Sequence, residues 1–155
     1  MWYERTKQSK WKYKLLVDRY FSFREIPKEL HIVIYKKNGK RLAEIKNGYI
    51  RILAGFVWDG ATFAPDLPTM LRATLLHDLM CQISTLANCP YTRKQGDVWF
   101  NRVMKEDQVN TIIRLIYFNA VIPFGKCKEI LFGTKREKGI FIKIFRPVKK
   151  ELAMI

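Results

Sequence analysis

H-I-V-I-Y-K-K-N-G-K-R-L-A-E-I-K-N-G-Y-I-R-I-L, residues 31–53, holds two Asn-Gly pairs, Asn38-Gly39 and Asn47-Gly48, each set between short apolar and basic runs. Asn-Gly tolerates the positive φ that both central positions of a two-residue hairpin turn require, so it is a strong hairpin signal. The runs His31 to Tyr35, Arg41 to Ile45 and Tyr49 to Leu53 are therefore expected to pair as an antiparallel meander. One face should be apolar and the other lysine-bearing. Upstream, Trp11 to Val17 (W-K-Y-K-L-L-V) opens with the same alternation and reads as a further strand.

Downstream of the meander the pattern changes. Residues 55–68, G-F-V-W-D-G-A-T-F-A-P-D-L-P, carry two Gly and two Pro without a sustained period, which reads as a structured loop. Thr69 is placed to cap a helix on which Leu71, Leu75, Leu76, Leu79 and Ile83 recur at helical spacing, ending before Asn88-Cys89-Pro90. Thr92-Arg93-Lys94-Gln95 fits a capping box, and the helix it starts should turn Phe100, Val103 and Met104 inward. Asp107 is expected to cap a third helix bearing Ile112, Ile113, Leu115, Ile116, Phe118 and Ala120, stopped by Pro123-Phe124-Gly125. Gly139 to Phe145 reads as a last strand. The expected fold is α+β in a single domain over 1–155: a basic β-meander (1–54), a loop and three-helix unit (55–125), and a basic tail (126–155).

Composition bounds the rest. With 48% hydrophobic and 28% charged residues the chain can bury an ordinary core, which argues against wholesale disorder. No apolar run is long enough for a membrane span. The N-terminus shows no apolar segment of the kind that marks a secretory signal. Three cysteines, Cys81, Cys89 and Cys127, fit neither a disulfide framework nor zinc spacing, so a reduced, cytosolic chain is expected. The net charge of +15 is concentrated at the ends, +8 over residues 1–46 and +6 over 126–155, while 47–91 is nearly neutral. Basic ends read either as a solvated face or as contacts for polyanions, with Lys143, Arg146, Lys149 and Lys150 in the aromatic-basic tail as the binding residues.

Chemistry points to the neutral middle. His31 lies in a strand pattern and reads as structural or exposed. His77 is followed at once by Asp78 within the strongest helix, Asp97 lies in the next helix, and Asp59 lies in the preceding loop. Two antiparallel helices with a short connection bring the start of the second beside the end of the first, so Asp97 can reach the imidazole. A carboxylate on one ring nitrogen fixes the tautomer and frees the other nitrogen as base or ligand. Asp78 and the Asp59-Gly60 loop are then available to a cation. An oxygen shell suits calcium or magnesium; direct ligation by His77 would suit zinc or manganese. Gly60 permits a positive φ that lets the Asp59 carboxylate fold onto backbone amides, Thr62 can bond locally, and Trp58 completes the loop motif. The loop reads equally as a catalytic support or as a structural turn, and the His-Asp pair as catalytic or structural.

The order W-D-G-A-T-x-x-P (Trp58 to Pro65), H-D (His77, Asp78) and G-D-x-x-F (Gly96, Asp97, Phe100) resembles an uncharacterised family encoded by tailed phages and prophages. Its members carry D-G-A-[ST]-x-P, H-D-x-x-Y and A-D-x-x-F motifs, and the likeness spans roughly residues 49–125. It implies a viral origin, with the protein in the host bacterial cytoplasm or carried in the virion. The helix pair is also similar to the phospholipase domain of parvovirus capsids, with His77-Asp78, Pro90-Tyr91 and Gly96-Asp97-Phe100 at the matching positions. That resemblance implies His77 as a base activating water, Asp97 as its orienting partner and Asp78 as a calcium ligand. This chain departs from it at Cys81, which stands where a tyrosine is expected, and in the glycine pattern of the calcium loop.

Two functions are expected on these grounds. The first is a metal-assisted hydrolase using the His/Asp dyad on lipid or cell-envelope material during infection or lysis, with a divalent cation, calcium before zinc, as cofactor. The second is a non-catalytic virion component of neck or tail, or an intracellular effector. Its basic ends would bind nucleic acid, anionic lipid or a phage or host protein.

Overall fold

The computed structural model describes residues 2–6, 12–61, 65–86, 88–132 and 139–145, with positions 122–132 described by their backbone alone. Trp11, Thr62, Arg146, Lys149 and Lys150, named above, lie outside the described residues. The fold is α+β, with strands first, helices after them and a further strand at the end.

Both Asn-Gly pairs turn the chain, but only Asn47-Gly48 has positive φ at both central positions; at the first pair Lys36 N–H meets Lys40 O across a three-residue loop. Gly39 and Gly48 have φ of 79° and 82°, and Asn47 shares the left-handed region at 53°. They connect β4 (His31–Lys36), β5 (Arg41–Lys46) and β6 (Tyr49–Ile52) into the expected antiparallel meander. The sheet is wider than expected. β3 (Arg19–Ser22) joins β6 on one side, and β8 (Ile140–Phe145), the anticipated last strand, joins β4 on the other, giving the order β3-β6-β5-β4-β8. The upstream strand is shorter than Trp11 to Val17: β2 is Tyr13–Leu15. It sits in a separate three-stranded sheet between β1 (Tyr3–Arg5) and β7 (Val57–Trp58). The segment 55–68 is therefore not all loop. Residues 57 and 58 were unreadable as a strand because two residues show no period.

The inward face of the large sheet is apolar: Phe21, Ile32, Ile34, Ala43, Ile45, Ile50 and Ile52 are all buried. The same core takes in α1 (Leu71–Ile83) and α2 (Arg93–Glu106). On α1, residues 71, 73–76, 79, 80, 82 and 83 are buried, so the helix is covered nearly all round, as a central helix must be. Its exceptions Arg72, His77, Asp78 and Cys81 are only partly buried. His77 and Cys81, four residues apart, lie on one face.

Three cap and stop expectations are corrected. Thr69 does not cap α1; it lies in a 3-10 turn, Pro68–Met70, that runs directly into the helix, and no side chain caps its start. Asp107 ends α2 rather than starting a helix, because both its oxygens are drawn to Arg72 Nε at 2.8 and 3.0 Å. Asn110 takes the capping role instead, its Oδ1 accepting from Ile112 N–H at 2.9 Å. The third helix, α3 (Thr111–Phe132), continues through Pro123-Phe124-Gly125. Of its apolar residues, Ile112, Leu115 and Ile116 are exposed. The capping box at Thr92 and Gln95 is formed reciprocally, and Phe100, Val103 and Met104 are buried as expected.

Candidate functional site

The partly buried stripe of α1 lies beside α2. Gly96 makes this possible: a Cβ there would sit 2.7 Å from Met80 Cβ, closer than side chains tolerate. With no Cβ, α2 closes on α1 and the next residue, Asp97, reaches across. Asp97 Oδ1 lies 2.8 Å from His77 Nε2. An ionised carboxylate only accepts, so Nε2 carries the hydrogen and donates it. The two side chains are 12% and 10% exposed, which puts them in a local dielectric well below that of water. Phe100 walls the site, its ring centroid 5.0 Å from that of His77.

Cys81 completes the cluster. Its sulfur lies 3.8 Å from Nδ1 and 3.7 Å from Nε2 of His77. Near-equal distances place the sulfur against the ring rather than on the lone-pair axis of one nitrogen. Burial by itself depresses an imidazole pKa. Here it is outweighed by the sulfur, the Asp97 hydrogen bond and the charge of Asp78, and the ring is pushed up from 6.5 to about 10. The sulfur acts in this way only as thiolate, whereas the two carboxylates act regardless. These surroundings favour the imidazolium form of His77. The sequence reading did not include Cys81 in the site, though its place one helical turn after His77 was the available signal.

The loop is tied to this helix by other means than expected. Asp78 accepts the Asp59 backbone N–H through Oδ2 at 3.0 Å, pinning the strand-to-loop junction onto α1. Trp58, fully buried, donates its indole N–H to Thr74 Oγ1 at 3.3 Å. Gly60 has the anticipated positive φ, 74°. The carboxylate that folds back onto the loop is Asp66, however, not Asp59. Its Oδ1 accepts from Ala61 N–H at 2.6 Å and its Oδ2 from Tyr13 hydroxyl at 2.9 Å. Proximity in sequence suggested Asp59; the chain reversal at Gly60 brings Asp66 to the amides instead.

The structure thus brings His77 and Asp97 together as expected and adds Cys81, while Asp78 serves the loop backbone. Among the described residues, no group of three or more His, Cys, Asp and Glu side chains is arranged to hold a metal ion. Of the expected polyanion contacts, Lys143 lies on β8, exposed, with its ammonium 5.0 Å from the Phe145 ring centroid. His31 is engaged by Glu44, Nε2 to Oε1 2.7 Å, in keeping with a structural role. No helix is long and apolar enough to cross a membrane among the described residues.

Residues 30–121 match the model of a family described as Protein of unknown function (DUF1353). The matched part runs from β4 into α3 and contains His77, Asp78, Cys81 and Asp97. No curated protein and no solved structure matches the chain.

Proposed function

The chain belongs to the DUF1353 family of proteins of unknown function, and from the His77 cluster we propose that it is a hydrolase whose proton-transfer group is His77 held by Asp97. The observation that carries this is the 2.8 Å contact between Asp97 and Nε2, which engages one ring nitrogen and leaves the other, Nδ1, as the site of proton transfer. A charged ring at neutral pH suits the role of donor better than that of base. In ester hydrolysis, water adds to the acyl carbon, the carbon–oxygen bond breaks, and the leaving alkoxide takes the Nδ1 proton. The ring then recovers a proton from the attacking water, so the dyad returns to its starting state. Asp97 holds the ring in place and stabilises its charge. In the phage setting that the resemblance implies, the substrate class is lipid or cell-envelope ester.

Turnover of soluble chromogenic esters and of phospholipid vesicles by the full chain tests this. H77Q should lose roughly 10²–10⁴-fold in rate, while C81S should retain most activity. A folded wild-type protein that cleaves neither substrate, or an H77Q variant as fast as wild type, overturns the proposal. Loss of activity in C81S would show that sulfur, not water, attacks, and would equally overturn it as stated.

The burial of the pair favours a second reading. With His77 and Asp97 only 12% and 10% exposed, the ion pair also suits a non-catalytic clamp between α1 and α2 in a structural or effector protein. It predicts that H77Q lowers the melting temperature and has no catalytic counterpart.

A further inference from the structure

We propose that the outward face of the five-stranded sheet binds single-stranded nucleic acid, its bases stacking on exposed aromatic rings and its phosphates meeting Arg41, Lys46, Arg51 and Lys143. This face is separate from the His77 cluster, and the inference does not depend on the hydrolase reading.

Strand register sets the composition of the face. One cross-strand row reads Tyr20, Arg51, Glu44, Val33 and Lys143 from β3 to β8. The next reads Ser22, Tyr49, Lys46, His31 and Phe145. A third, beside the irregularity in β4, reads Arg41, Tyr35 and Phe141. The residues alternating with these point into the core, so the pleat separates an aliphatic inner face from an outer one built of rings and cations around Val33, which is itself buried.

The rings are open to solvent. Tyr20 is 56% exposed, Tyr49 50%, Phe141 45% and Phe145 38%. Such exposure costs hydrophobic free energy unless something covers the surface. Cations lie against the same rings: Arg51 is 5.6 Å from the Tyr20 ring centroid, and Lys143 is 5.0 Å from that of Phe145. Tyr20 and Tyr49 are diagonal neighbours on β3 and β6, roughly 7–8 Å apart by ordinary sheet geometry, a spacing that admits a flat base. They border an open hollow of about 320 Å³ together with Glu44, Lys46, Asn47 and Arg51. That volume lies at the lower end of the range for small-ligand sites.

Charge selects the occupant. The three rows carry four Arg and Lys residues against Glu44, and Glu44 is already bonded to His31. Asp18 at the margin holds the Arg51 guanidinium at 2.6 Å and steadies it beside the Tyr20 ring. On a chain of net charge +15, a surface that alternates rings with cations matches bases alternating with phosphates. A duplex hides its base faces within the stack, so only a single strand can use the rings. Sheets of this kind accommodate two or three stacked bases.

Fluorescence anisotropy with the full chain and labelled oligo-dT, oligo-U and a duplex of equal length tests the proposal. Single strands should bind more tightly than the duplex. Y20A and Y49A, both at exposed positions, should each weaken binding roughly ten-fold. K46Q should flatten the dependence of affinity on salt, while K94Q, an exposed charge removed from α2, should leave affinity near wild type. Equal binding of duplex and single strand, or unchanged affinity in both tyrosine variants, would assign any binding to charge alone and overturn the proposal. Absence of binding by the wild-type chain at low salt would do so directly.

Discussion

Replacing Asp97 with Asn leaves the shape of the α1–α2 contact in place and removes the charge that helps hold His77 as an imidazolium. The folded-state pKa of that ring is about 10, against 6.5 without its surroundings. Since each unit of difference is worth about 1.4 kcal/mol, the whole linkage is worth at most about 5 kcal/mol, divided among Cys81, Asp97 and Asp78. A raised folded-state pKa stabilises fully below pH 6.5, and that stability is lost as pH rises through about 10. D97N is therefore expected to cost about 3 kcal/mol at pH 6.5, the lower end for breaking a buried pair, because the ring can shed its proton instead of remaining charged and unpaired. The gap between wild type and D97N should narrow steadily toward pH 10. Urea unfolding of both proteins across this pH range measures it. Ring resonances report the titration itself, with only His31 as a second histidine to assign. A stability gap that stays constant from pH 6.5 to 10, or a wild-type His77 that titrates near 6.5, would refute the argument.

Two other perturbations separate local from tertiary causes. G60A places a Cβ against Asp66 and Tyr13 at a φ of 74°; strain and overpacking together should cost about 3 kcal/mol, read as a fall of roughly 10 °C in melting temperature. T92A removes the side-chain half of the capping box at the start of α2 and should cost about 1 kcal/mol, roughly 3 °C, without altering the titration of His77.

The elements legible in the chain were those whose signal is local. Asn38-Gly39 and Asn47-Gly48 select a turn by their own backbone preferences, and Thr92 with Gln95 closes a cap within four residues. The leucines of α1 carry its period unaided. The pairing of His77 with Asp97 was also legible, because a short connection constrains where two adjacent helices meet. Partners far apart in the chain were not legible. Asp107 looked like a cap until Arg72, 35 positions away, claimed it. Asp59 looked like the carboxylate that braces the loop until the backbone reversal at Gly60 presented Asp66. Pro123 carried a stop signal that the helical backbone overrides.

The face of rings and cations on the large sheet shows the same division most clearly. Alternation along each strand already separated inward from outward residues. Which outward residues become neighbours depends on register and strand order, and β3 and β8, which lie more than 100 positions apart in the chain, flank the meander only in the folded sheet. Local backbone chemistry thus determined the turns, caps and helices from sequence alone. The partners of Asp107 and Asp66 and the composition of the open face were decided by tertiary structure, because side-chain contact depends on distance in space, to which sequence separation is only a weak guide.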